Sequence, residues 1–159
     1  MAITYEPIAT QTLGSAASTV TFSSISGTYT DLVFIYSGAG SGNADLYMQF
    51  NGDTGNNYSR TYMFGDGSTT GSARQTNTYG IFWGYQTTGI QNARVNIMNY
   101  SNSTTYKTTL GVEAIPSIAI APIVGLWRNT AAITSILVGA AGATFSTGTT
   151  FTLYGIKAA

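Results

Sequence analysis

Residues 31–50 read DLVFIY, SGAGSGN, ADLYMQF, and this stretch decides the fold class. Asp31-Leu32-Val33-Phe34-Ile35-Tyr36 is a continuous apolar run, the pattern of a strand covered on both faces. In 44–50, Leu46, Met48 and Phe50 recur at every second position, so they share one side of an extended chain. The Gly, Ser and Asn residues between the two runs supply the backbone freedom of a turn. Strand, turn, strand is the reading.

The same pattern extends in both directions. Ser18-Thr19-Val20-Thr21-Phe22 alternates, with Val20 and Phe22 on one face. Residues 58–64, 79–85, 93–100, 106–112, 118–127, 133–138 and 151–156 are further runs rich in Thr, Tyr, Val, Ile and Phe. Turn-forming segments separate them: 51–57 (NGDTGNN), 65–68 (GDGS), 101–105 (SNSTT), 140–143 (AAGA) and 146–150 (STGTT). Roughly ten short strands at regular spacing predict an all-β, antiparallel β-sandwich of jelly-roll type. No linker divides the chain, so residues 1–159 are expected as a single domain, with 1–11 as an extended N-terminal arm whose pairing Pro7 limits. Pro116 and Pro122 bracket an apolar run and predict a bulge or bend there. A short helical turn is expected near 129–132 (NTAA).

Composition excludes several classes of function. Charged residues make up 8% of the chain, and six cations balance six anions, so the surface carries little electrostatic steering and association is favoured. Arg60, Arg74, Arg94, Lys107, Arg128 and Lys157 are scattered, which argues against nucleic-acid binding. No apolar stretch reaches the roughly 18 residues of a membrane span. The first residues lack the pattern of a signal peptide, and synthesis in the cytoplasm is expected. The absence of cysteine and histidine removes disulfides, the usual zinc ligands, the thiol nucleophile and the commonest general base.

Six carboxylates remain as catalytic candidates: Glu6, Asp31, Asp45, Asp53, Asp66 and Glu113. Five sit beside turns, strand starts or predicted edges, and Glu113 follows a strand. No enzyme and no cofactor is expected. Asn51, Asp53 and Asp66 lie in two glycine-rich loops that offer oxygen ligands for calcium. Those loops flank opposite ends of one predicted strand, so Asx turns are the expectation. Asn57-Tyr58-Ser59, Asn99-Tyr100-Ser101 and Asn102-Ser103-Thr104 are sequons that chance supplies readily in a chain of this composition.

Eleven tyrosines and two tryptophans are the most suggestive feature, because both residue types favour interfaces. Tyr79, Phe82, Trp83 and Tyr85 cluster around Gly80 and Gly84. They read either as a subunit interface or sugar-stacking surface, or as residues that line two sheet faces. Trp127 and Arg128, with Tyr5 and Pro7 near the start, complete the interface candidates. Asn51, Asp53 and Asn57 are the loop candidates for ligand contact.

Several motifs carry a family resemblance: Phe22-Ser23-Ser24-Ile25 with Thr28-Tyr29-Thr30-Asp31-Leu32; Phe50-Asn51-Gly52-Asp53 with Asn57-Tyr58-Ser59; Ile97-Met98-Asn99-Tyr100-Ser101; and Phe151-Thr152-Leu153-Tyr154-Gly155-Ile156. As a set, spanning residues 5–159, they resemble small virion structural proteins of tailed bacteriophages. The resemblance implies a non-enzymatic β-sandwich, homo-oligomeric as a trimer, made in the host cytoplasm and located in the virion. Its implied partners are the major capsid protein or other virion proteins. Capsid decoration, as a cement protein on the head shell, is the first implied role. A tail-fibre or receptor-binding tip that recognises host carbohydrate is the second, and a free-standing lectin-like module is a third class. The resemblance transfers no catalytic residue.

Overall fold

The computed structural model describes residues 4–115 and 119–157, and these form twelve strands and no helix. In chain order they are β1 (Tyr5–Thr12), β2 (Thr19–Phe22), β3 (Asp31–Gly38), β4 (Ala44–Phe50), β5 (Tyr58–Gly65) and β6 (Thr70–Thr78). Then come β7 (Ile81–Gln86), β8 (Gln91–Met98), β9 (Lys107–Ile115), β10 (Ala119–Trp127), β11 (Ile136–Ala140) and β12 (Thr150–Ile156). All ladders are antiparallel. They make an eight-stranded sheet in the order β1-β12-β3-β8-β9-β10-β5-β6 and a four-stranded sheet in the order β2-β11-β4-β7. The β-sandwich expected from the sequence is borne out.

The pairing is concentric: β1 lies beside β12, β2 beside β11, β3 beside β8 and β4 beside β7. Two hairpins, β5–β6 and β9–β10, extend one end of the large sheet past the width of the small one. The small sheet's β7 edge contacts β9, β10 and β5, and beyond it β6 is exposed along nearly its whole length.

Between the sheets lies an aromatic core. Phe34, Tyr36, Val95, Ile97, Phe151 and Leu153 of the large sheet meet Phe22, Leu46, Met48, Phe50, Trp83 and Val138 of the small one. Trp83 sits edge-on to Phe34 at 5.2 Å and to Tyr36 at 5.4 Å. At the other end Trp127 stacks on Tyr58 at 6.1 Å and packs against Phe50 at 5.4 Å. Each such ring removes on the order of 150–250 Å² from water, which makes these contacts the main stabilising element of the sandwich. Lys107 is fully buried, and its Nζ donates to the carbonyls of Thr105 (2.7 Å) and Thr130 (2.9 Å). Desolvation lowers its pKa.

Several sequence expectations change here. From Tyr5 onward the expected arm is an edge strand in register with β12, and Pro7 sits at a register shift where its missing N–H leaves no donor unpaired; Met1, Ala2 and Ile3 lie outside the described residues. No bulge forms between β9 and β10 at Pro122, whose register to Val112 is continuous. Pro116 lies outside the described residues. Residues 129–132 form no helical turn, because the Asn129 side chain accepts the Ala131 N–H in an Asx turn. Strand β3 is covered on both faces at Val33, but Ile35 stands 39% exposed on the outer face.

Candidate functional site

A cleft of about 240 Å³ opens where the small sheet ends. Its overhang is Asp45 of β4 with Gly84 and Tyr85 of β7. Its floor is the inner face of the extended end of the large sheet: Arg60, Tyr62 and Phe64 of β5, Glu113 and Ile115 of β9, and Ala119, Ala121 and Ile123 of β10. The small side chains on β10 keep the floor open, and alternation along each strand aims the named residues at one face.

Glu113 is the buried polar group of this site, only 2% exposed. Its Oε1 accepts the Tyr85 N–H at 2.7 Å. This bond depends on a register shift in the β4–β7 ladder between Leu46 and Tyr47, an irregularity of the kind that re-aims groups beside functional sites. It also depends on Gly84, where a Cβ would fall 2.7 Å from Glu113 Oε1. Among the described residues Glu113 makes no other hydrogen bond and no ion pair. Desolvation by burial pushes its carboxyl up to about 7; the Tyr85 N–H and the Arg60 charge oppose this, and Asp45 adds to it. Near neutral pH Glu113 is therefore present as both acid and carboxylate.

Arg60 is nearly buried, and each nitrogen of its guanidinium has a partner. Nε donates to Gln75 Oε1 (2.8 Å), Nη1 to the Phe82 carbonyl (3.3 Å) and Nη2 to Asp45 Oδ1 (3.4 Å). Its charge lies 4.5 Å from the Tyr62 ring centroid and 5.2 Å from that of Phe82, favourable cation–π positions. Asp45 stays 44% exposed at the mouth. Phe64 (37% exposed) and Tyr85 (38%) present rings at the rim. Deeper in the core, Tyr36 Oη and Trp83 Nε1 are buried without hydrogen-bond partners among the described residues. Burial, and secondarily the nearby Glu113 charge, raises the Tyr36 pKa.

The structure separates the sequence candidates. Of the aromatic cluster, Tyr85 lines the cleft and Tyr79 is exposed against Tyr47 at 5.2 Å. Phe82 and Trp83 are buried, so the reading of these two as an interface is corrected. Trp127 is corrected likewise: it is fully buried, and its Nε1 donates to Asp53 Oδ2 at 2.7 Å. Arg128 is spent on the Asn56 and Tyr58 carbonyls and on Asn77 Oδ1. Tyr5 is exposed at the far end of the large sheet, edge-on to Tyr154, with Arg94 Nη2 at 3.1 Å from its hydroxyl.

The loop candidates serve the fold. Asn51, with φ of 54°, donates to the Ala132 carbonyl and accepts the N–H groups of Thr134 and Ser135. Asp53 accepts from Gly55 N–H, Asn57 Nδ2 and Trp127 Nε1; burial works against its charge, but these bonds hold its pKa below the ordinary value. Asp66 accepts from Thr69 and Ser68, which bring it down to about 2. Both acids make the Asx turns expected from the sequence, and no group of three potential metal ligands occurs among the described residues.

Sequence reasoning named Glu113 but set it aside as following a strand, whereas it lies within β9, and it read Arg60 only as one of six scattered cations. The signal available was alternation: Lys107, Thr109, Gly111, Glu113 and Ile115 share one face of β9, and that face is buried.

No family model matches this chain, and no curated protein matches it. Among solved structures it is similar to a mutant of the alginate lyase Aly36B in complex with an alginate tetrasaccharide. The identity is 11% and the TM-score 0.37, over 94% of this chain and 80% of that one. The expectation of a bacteriophage virion protein, as head decoration or as tail tip, is corrected: the resemblance found in the short motifs has no family match behind it. That assignment is withdrawn.

Proposed function

We propose that this chain is a non-catalytic binding module whose cleft at the edge of the small sheet takes a segment of a neutral, hydroxyl-rich chain, a polysaccharide in chemical class. The observation that carries the reading is the placement of Glu113, a nearly fully buried carboxyl with an uncommitted oxygen, on the floor of a cleft rimmed by the Tyr85 and Phe64 rings. Ligand sites are commonly apolar clefts with a few convergent polar groups. Aromatic rims offer flat apolar faces to the C–H side of a sugar ring, and Glu113 with Asp45 offers acceptors to its hydroxyls.

Neutral charge follows from the same groups. Arg60 is already paired with Asp45 and bonded to Gln75 and Phe82, so an anionic ligand meets two carboxyls and a cation whose charge is shared with one of them. Binding without turnover is supported by the pairing of Asp45 with Arg60, which leaves Glu113 as the one unpaired carboxyl of the cleft among the described residues. The concentric strand pairing supports reading the framework as a jelly roll lengthened by the β5–β6 and β9–β10 hairpins, and it is those hairpins that make the cleft floor.

Affinity electrophoresis through gels containing a soluble glucan, a galactomannan or a uronate polymer tests this. The wild type is retarded by a neutral polymer, and Tyr85→Ala and Glu113→Gln each weaken that retention about tenfold. Equal mobility in every gel removes the reading. Shortened polymer recovered after incubation replaces binding with catalysis.

A further inference from the structure

On the face of the large sheet opposite the cleft, three adjacent strands carry no charged outward side chain. These are Thr61 and Met63 of β5; Ile120, Pro122, Val124 and Leu126 of β10; and Thr108, Leu110, Val112 and Ala114 of β9. Met63 is 61% exposed, Ile120 55%, Val124 50%, Leu110 46% and Val112 45%. These residues expose about 500 Å² of apolar surface, near the upper end for a lone soluble domain, and Arg94 of β8 separates them from Ile35.

We propose that a second copy of this chain covers this face, the two strips packing sheet on sheet about a two-fold axis. The area suits such a pair: an apolar centre of about 500 Å² needs its polar rim, which includes Arg94 of β8 opposite Val112 and Arg74 of β6 opposite Thr61, to reach the roughly 800 Å² per partner of a stable interface. The chemistry selects the occupant. A partner surface of ordinary composition would bury charges against the centre of a strip whose cations, Arg74 and Arg94, stand only at its margins, whereas the centre of another strip brings none. The chain's formal net charge of zero leaves no overall repulsion between copies. Ile, Val and Leu on twisted strands are also the side chains that interdigitate when sheets stack, and a two-fold contact lets the same patch serve both subunits. This pairing replaces the trimer implied by the motif resemblance and is independent of the cleft.

Sedimentation velocity of the full chain, at concentrations up to about 100 µM, decides it. The expected species has twice the chain mass, and Val124→Glu and Leu110→Glu each convert it to a monomer with an unchanged far-ultraviolet circular dichroism spectrum. Thr19→Glu, on the outer face of β2 in the small sheet, leaves the pair intact and controls for added charge. A wild-type monomer throughout the range overturns the proposal and leaves the face to a different partner. A pair that survives both strip substitutions, or a trimer, overturns it as well.

Discussion

The large sheet has two ends that differ in what lies over them. Along β12, β3 and β8 the small sheet forms a roof, and the residues beneath it are Phe34, Tyr36, Val95, Ile97, Phe151 and Leu153, all apolar or aromatic and all buried. Past the Trp127 and Tyr58 ends of β10 and β5, and along β6, the roof stops, and the same inward face carries Arg60, Tyr62 and Phe64, with Glu113 at the boundary. The backbone ladders are continuous across the change. Coverage alone therefore decides whether an inward position serves the core or a site, and the width of the small sheet sets where one gives way to the other.

The largest test of this contrast is Trp83→Ala under the roof. It is expected to cost about 3–5 kcal/mol in urea unfolding, whereas Phe64→Ala beyond the roof should cost under about 1 kcal/mol. Similar losses at the two positions would erase the distinction.

The boundary itself is tested through pH. Glu113 has its pKa raised from 4.5 to about 7 in the fold, so the folded chain binds that proton more tightly than the unfolded chain does. Its contribution is complete below pH 4.5, falls as the pH rises, and levels off above about 7. Glu113→Gln keeps an acceptor for the Tyr85 N–H and removes the titration. At pH 8 the variant is expected to be more stable than wild type by about 3 kcal/mol, with the difference vanishing near pH 4. A constant difference across that range would place the carboxyl outside the boundary.

A smaller effect is expected at the rim. Tyr85→Ala should change stability by no more than about 1 kcal/mol while weakening polysaccharide retention about tenfold. Loss of both together would make Tyr85 part of the core.

Legibility in the sequence follows the same division. Where one face is roofed and the other open, as in β2, β8 and β9, alternation is clean and the strands were read close to their observed bounds. Strand β6, TGSARQTNT, is exposed on both faces and so has no period-two signal; it was missed. Strand β1 was taken for an arm because Pro7 breaks its ladder pattern. The burial of Glu113 stayed hidden for a tertiary reason. Its burial needs Gly84 and the shifted register of β7 to come down over it, and these lie about thirty residues away in the chain, beyond the reach of local pattern. Trp127 misled in the opposite direction: a large aromatic next to an arginine resembles an interface, but its indole N–H was already matched to Asp53.

The two lysines behave as different reagents. Lys107 is sealed beneath the Thr105 and Thr130 carbonyls, while the Lys157 side chain is 45% exposed and paired with Glu6. An amine-directed dye or resin acting on the lysine side chains is therefore expected to attach at Lys157, beside β12 and at the opposite end of the large sheet from β5 and β6. Protein immobilised in that way presents its cleft to the solution in a single orientation.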